Sequence, residues 1–542
     1  MLRRKFSFVL SIVAVTATSI LVVAPNPSSA GPVCPVGSEF QLLGLVNQFR
    51  SSNGRGALTL SSELMVKAQR WSDLLAAENG LRHSNLVDGV SAGWSGIAEN
   101  VAYNASVAAD QAALEASPGH RTNLLGDYSE LGLGISCGTG GRIFVSQVFV
   151  KRSVPTPSYQ NDLRASSFSA VTPARLLDTR GGVKPAALSH LTIPVGGRAG
   201  VPDVGVSAAV VAVSAIDGVG VGWLQVGPTG ATAFGASSNL NYSQVTPTAS
   251  ATTIVQLGAG GAIELFISES AHVVVDVIGF FATANGSVSA GRTVPIAPVR
   301  ALDTRPGYSP AYGGPRPSAG STVTVGITGV GQVPTSGVSA VVANITAVAG
   351  DSPGHVVVAP GGGTEGGVEV SRTGRPNQIS ANLVIIPVDA AGRISLTPTM
   401  NTDLLVDVFA WITNGSQAAS TEGLFVPTTP IRFLDTRAAN GIATTRAVSG
   451  NINVDVSARN FYPTCARAVF ANITAVSPAQ PIWLQAGPAG RFANGAFSNL
   501  NNDLAAGIVA NSAVIPVGDG CDVGVFASSS THEILDLSGY FI

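Results

Sequence analysis

Leu64, Ala68, Trp71 and Leu75 recur at spacings of three and four residues in SSELMVKAQRWSDLLAAENG, the period of a helix with one buried face. Ser61 or Ser62 offers an N-cap, and Asn79-Gly80 a stop. FQLLGLVNQFRSSN before it and SVAADQAALEASPG after it extend the helical pattern from Glu39 to about Leu125. GLGISCGTGGRIFVSQVFV then reads as two short strands joined by a Gly-rich turn. Past the polar stretch SVPTPSYQNDLRASS the helical period disappears. Val, Thr and Ala alternate from there, punctuated by Gly, Pro and Asn, which predicts all-β structure.

The β region repeats itself. TPARLLDTR, APVRALDTR and TPIRFLDTR open three units at Arg175, Arg300 and Arg432, spaced 125 and 132 residues apart. HVVVDVIGFF, DLLVDVFAWI and HEILDLSGYFI close them, each with an aspartate, Asp276, Asp407 and Asp536. Units of this length exceed solenoid repeats and predict three tandem all-β domains, antiparallel sandwiches or barrels, each with its first and last segments paired. The resulting division is a signal peptide at 1–30, a first domain at 31–152, a linker at 153–167 and repeats at 168–283, 292–413 and 424–542. Short linkers at 284–291 and 414–423 separate the repeats.

An aspartate on an apolar closing strand is costly unless paired. Arg175 or Arg180 is therefore expected to meet Asp276, with Asp178 beside them; Arg300, Asp303, Arg305 and Asp407, and Arg432, Asp435, Arg437 and Asp536, repeat the arrangement. The competing reading is a ligand site presented three times. The sequons at Asn344 and Asn472 fit strand alternation and are assigned no function. Trp223 and Trp483, each before Leu-Gln, are either core residues or ligand platforms.

At 542 residues the chain exceeds one core. Only 11 % of residues are charged, and net charge is −2, becoming −5 once the three basic residues of the leader are removed. That excludes the basic footprint of a nucleic-acid binder. Arg3, Arg4 and Lys5, the apolar stretch Phe6–Ala24 and the small residues Ser28-Ser29-Ala30 form a secretory signal, favoured over an uncleaved anchor by the Ser and Thr content. Without a lipobox before Cys34 or an apolar tail at GYFI, the expectation is a secreted protein with no stable membrane span after cleavage. Four cysteines in such a chain suggest disulfides. Position favours Cys34 with Cys137 and Cys465 with Cys521, the second contributing about 4 kcal/mol in the chain-entropy model.

The first domain carries the candidate chemistry in LRHSN, GIAENVAYN and SPGHRTNLL, which supply His83, Glu99 and His120, the last just past a turn. The spacing of the two histidines matches no local zinc motif. HSN, AEN, SPGHRTNLL and GLG followed by a strand ending VSQVFV nevertheless resemble, in order and wording, the CAP superfamily of cysteine-rich secretory, antigen-5 and pathogenesis-related-1 proteins, in its bacterial branch. The resemblance covers about residues 38–151 and implies an α-β-α sandwich with a cavity lined by two histidines and two acids. His83, Glu99 and His120 fall on three of those positions, and in relatives the histidine pair can hold a divalent metal such as zinc. The second acid position falls on Ser117, Glu115 being two residues out of register, and Leu114 replaces an aromatic.

These observations predict an exported, non-enzymatic binding or cell-envelope-associated factor whose His/Glu cavity takes a lipid-like ligand or a divalent metal. A secreted hydrolase is the alternative, through Ser84, Ser95 or Ser117 as nucleophile or a metal-activated water on His83 and His120. No catalytic residue is selected, and two histidines are too few ligands for a typical catalytic zinc. A third reading makes the three repeats an adhesive, envelope-binding array acting through avidity.

Overall fold

The computed structural model describes residues 38–152, 165–308, 314–456 and 466–542, apart from 91, 231–234, 236, 285, 439, 442–444 and 519. The expected signal peptide, Cys34 and Cys465 lie outside the described residues. No described helix is long and apolar enough to cross a membrane.

The N-terminal domain has four helices, α1 (Ser38–Ser52), α2 (Ser62–Glu78), α3 (Val107–Ala116) and α4 (Pro118–Leu124). Its strands β1 (Thr59–Leu60), β2 (Trp94–Asn104), β3 (Glu130–Cys137) and β4 (Ile143–Arg152) form one sheet in the order β1-β3-β4-β2. Leu131, Leu133 and Ile135 of β3 face α1 and α3, joining Leu42, Val46, Val107 and Leu114 in one core. The opposite face takes α2, and here the alternation along β3 places glycines. A Cβ on Gly132 would lie 2.2 Å from the Leu64 carbonyl oxygen, and one on Gly134 2.1 Å from that of Ala68. Helices thus cover both faces of the sheet. Helix α2 ends at Asn79, whose φ of 51° closes it as an αL cap, whereas Ser61 takes the N-cap position without a side-chain cap bond.

One stretch departs from the helical pattern. Trp94–Asn104 is a strand, buried on both sides over its centre, so it lacks the one-sided alternation that identifies a half-exposed strand.

Each repeat is an eight-stranded sandwich. In the first, the strands run Ser166–Asp178, Ser189–Pro194, Val206–Ile216, Gly222–Pro228, Leu240–Tyr242, Ala249–Gln256, Ala262–Ile267 and His272–Thr283. Numbered within the repeat, one sheet has the order 6-3-8-1 and the other 5-4-7-2. This is the jelly-roll arrangement, and the second repeat reproduces it. In the third, strands seven and eight are one continuous strand, Asp522–Phe541, serving both sheets. First and last strands pair in every repeat.

The repeats also close into a ring. Their sixth strands, Ala249–Gln256, Ser380–Pro387 and Ile508–Pro516, touch one another pairwise. The fifth strands of the second and third repeats lean on the sixth strand of the repeat before, and that of the first leans on the third. Asn344 donates from the second repeat to the Ser498 carbonyl at 2.7 Å, and Asn472 from the third to that of Ser238 at 2.5 Å. Both sequon asparagines are therefore buried interface residues. The ring explains the long apolar runs. Val211 and Val213 of the first repeat point into its own core, while Ala208, Val210 and Ala212 join the apolar cluster shared with the other two repeats.

Candidate functional site

Three segments of the N-terminal domain converge on Glu99, near the middle of β2. Its side chain is fully buried, and its oxygens take Ser84 Oγ at 2.6 Å, the Ser84 backbone N–H at 2.8 Å and His83 Nδ1 at 2.9 Å. The His83 ring is 58 % exposed. Glu99 thereby fixes its orientation through Nδ1 and turns Nε2 away.

His120 lies within the first turn of α4 rather than just past a turn, because Pro118 starts that helix at its first positions. Its Nδ1 meets Ser117 Oγ at 3.0 Å, and its carbonyl accepts from Asn100 Nδ2 at 3.2 Å. Burial first, and His83 second, hold its pKa below the ordinary imidazole value, so the ring is neutral at neutral pH. The far end of α4 is anchored by buried Arg50, whose Nη1 donates to the carbonyls of Leu124 at 2.6 Å and Gly126 at 3.0 Å.

Behind the histidines runs a chain of amides invisible to motif reading. Glu115 accepts from Gln111, Gln111 from Gln147, and Gln147 from Asn100, at 2.9, 2.9 and 3.2 Å, while Asn123 donates to Asn100 at 2.9 Å. The AEN segment thus contributes its asparagine as well as its acid. Glu115, out of register for the second acid, caps this relay instead.

Residues 43–149 match the family model described as the cysteine-rich secretory protein family, CAP. This part of the chain is a CAP domain. No curated protein matches the chain. Among solved structures, an outer surface protein of Borrelia burgdorferi is 16 % identical over 23 % of this chain and all of its own length, with a TM-score of 0.21. An extracellular protein containing an SCP domain from Bacillus anthracis is 24 % identical over 23 % of this chain, with a TM-score of 0.20; the match spans 45 % of that protein. A triple jelly roll from an archaeal virus covers 69 % of this chain and 90 % of its own, at 8 % identity and a TM-score of 0.13.

As a metal site, the CAP cluster falls short. Both Glu99 oxygens are engaged and each histidine has one nitrogen occupied, which leaves two imidazole nitrogens where catalytic zinc takes three protein ligands. Among the described residues no group of three or more His, Cys, Asp or Glu is placed to hold an ion. Of the candidate serines, Ser84 bonds Glu99 rather than a histidine, and Ser95 reaches only the Lys151 carbonyl, at 3.5 Å. Ser117 alone has an imidazole partner.

In the repeats, Arg175, Arg300 and Arg432 stand opposite Asp276, Asp407 and Asp536 in register. Nε of each donates to the closing-strand aspartate at 2.5, 2.8 and 2.8 Å, and Nη2 adds a second bond at 3.2, 3.0 and 3.0 Å. The third nitrogen reaches the motif aspartate, Asp178, Asp303 or Asp435, which also takes Arg180, Arg305 or Arg437. Hydrogen bonding from Arg180 holds the Asp178 carboxyl far below the usual range. Even the motif threonines bond the start of the closing strand, to His272, Asp403 and His532. Trp223 and Trp483 belong to none of the cores; each is half-buried and packs against one phenylalanine, Phe266 or Phe526.

Proposed function

We propose that this chain is an exported CAP-domain protein that binds a ligand between His83 and His120 and carries out no reaction of its own. The observation carrying this reading is the orientation of the two rings. Each has its Nδ1 engaged, by Glu99 or Ser117, so both offer Nε2 to a ligand. Leu81 and Val87, exposed on the loop that holds His83, add apolar surface beside that polar pair. An amphiphile with a hydrogen-bonding head and a short apolar portion suits both features. Export rests on the leader, and an envelope-associated role on the ring of repeats that follows the CAP domain. The proposed disulfides are Cys34–Cys137 and Cys465–Cys521; neither Cys137 nor Cys521 is a free thiol.

Native mass spectrometry of the mature protein, purified without chelator, tests this beside a His83→Ala/His120→Ala variant. An adduct of lipid-like mass on the wild type and its loss from the variant is the expected result, whereas a metal ion alone contradicts it. Bare polypeptide mass in both overturns it.

The Ser117–His120 contact favours one second reading, a serine hydrolase. Its base then lacks an orienting acid among the described contacts, because Glu99 serves His83. Labelling of Ser117 by a fluorophosphonate probe, abolished by His120→Ala, would establish that reading over the first.

A further inference from the structure

The three repeats enclose a cavity of about 60 Å³ where their fifth and sixth strands meet. All three contribute to its wall: Asn241 from the first, Arg372 and Gln378 from the second, Asn502 and Asp503 from the third. A water needs about 10–15 Å³ of such space, so this one holds several waters or one small anion.

Its fully buried unpartnered side-chain atoms are both donors. Asn502 is 3 % exposed, its Oδ1 accepts from the Leu504 N–H at 3.1 Å, and its Nδ2 has no partner. Arg372 pairs through Nη2 with Glu369 and leaves a buried Nε–H unmet. Asp503, the acid in the wall, accepts through Oδ2 from Arg375 at 2.6 Å and from the Ile379 N–H at 3.3 Å, so its charge is paired. None of the buried unpartnered acceptors of the described residues lines this space. Two dry donors, one of them a guanidinium, call for an occupant that brings acceptors.

The repeats differ at this place. Asn241 and Asn501 pair directly with Trp223 and Trp483 on the fourth strand. In the second repeat the register slips between Gly354 and Val356, opposite Ser371, which has a φ of 50°. That bulge presents Arg372 to the axis, and bulges re-aim side chains in this way. Burial, then Arg180 and Arg175 of the first repeat, pull the Arg372 pKa down to about 10 against the opposing charge of Asp276.

We infer that this axial cavity binds a carboxylate or small oxyanion through Arg372 Nε and Asn502 Nδ2, a site separate from the CAP histidines. The group is a free inorganic oxyanion or a small carboxylate. Equilibrium dialysis of the full mature chain against labelled inorganic phosphate, with a parallel arm using labelled acetate, distinguishes the two. Saturable binding of at least one probe at constant ionic strength is expected, weakened at least tenfold by Asn502→Asp. Gly507→Ala is the milder control for folding, since its Cβ would sit 3.1 Å from Asn502 Nδ2 and cover the donor. His83→Ala/His120→Ala should leave the binding unchanged. No saturable uptake of either probe by the wild type, or equal uptake by both cavity variants, overturns the inference.

Discussion

Two buried acids mark where single residues control stability. Asp110 on α3 and Glu533 in the third repeat are 0 % and 1 % exposed, and neither carboxylate has a hydrogen-bond partner among the described residues. Burial alone pushes them up to about 7 and about 8. Each native pKa lies above its unfolded value, so the folded state binds the proton more tightly. Stability is highest below about pH 4 for these groups and is lost as pH rises toward 7 or 8. Asp110→Asn and Glu533→Gln should therefore stabilise their domains by roughly 1–3 kcal/mol at pH 8 and flatten the pH dependence of urea melts. An unchanged midpoint at pH 8 would contradict the assignment. Neither residue stands out in the sequence, since VAADQAALEA reads as an ordinary amphipathic helix and an unpaired acid is recognised only by what surrounds it. His83, Glu99 and His120 were legible because their motifs are distinctive. The amide relay behind them was not, because Gln111, Gln147 and Asn123 come from separate elements.

At the scale of elements, the approach of α2 to β3 depends on two glycines. Gly134→Ala would drive a methyl into the Ala68 carbonyl and should cost the CAP domain about 3 kcal/mol or more, measurable by circular dichroism during urea unfolding. The strand pairs of the repeats should respond in order of burial. Asp407 is fully buried against Arg300, whereas Asp276 and Arg175 are 17 % and 37 % exposed. Asp407→Ala should cost about 3–5 kcal/mol, and Asp276→Ala about 1 kcal/mol or less. Equal losses in the two variants would show that these pairs do not act through desolvation. The alternation and the closing aspartates were enough to expect that first and last strands pair. Strand Trp94–Asn104 escaped because helices bury both of its faces and erase the alternation.

For the whole molecule, among the described residues the CAP cores contain none from the repeats, while one apolar cluster draws on all three repeats. Calorimetry of the mature protein should show two transitions, one for the CAP domain and one for the ring. Separate transitions for each repeat would mean that the shared cluster is energetically minor. Within the ring Asp276 has Arg372 of the second repeat as a charged neighbour, so damage at Asp276 should not stay within the first repeat. Helical and strand periods, the triple motif and the family wording are local features, and the sequence by itself determined from them a CAP-like domain followed by three β repeats. The closure of those repeats into a ring, the polar cavity between them and the unpaired acids were decided by the tertiary structure alone. They arise where distant surfaces meet, and one-dimensional periodicity reports which face of an element is buried but not what buries it.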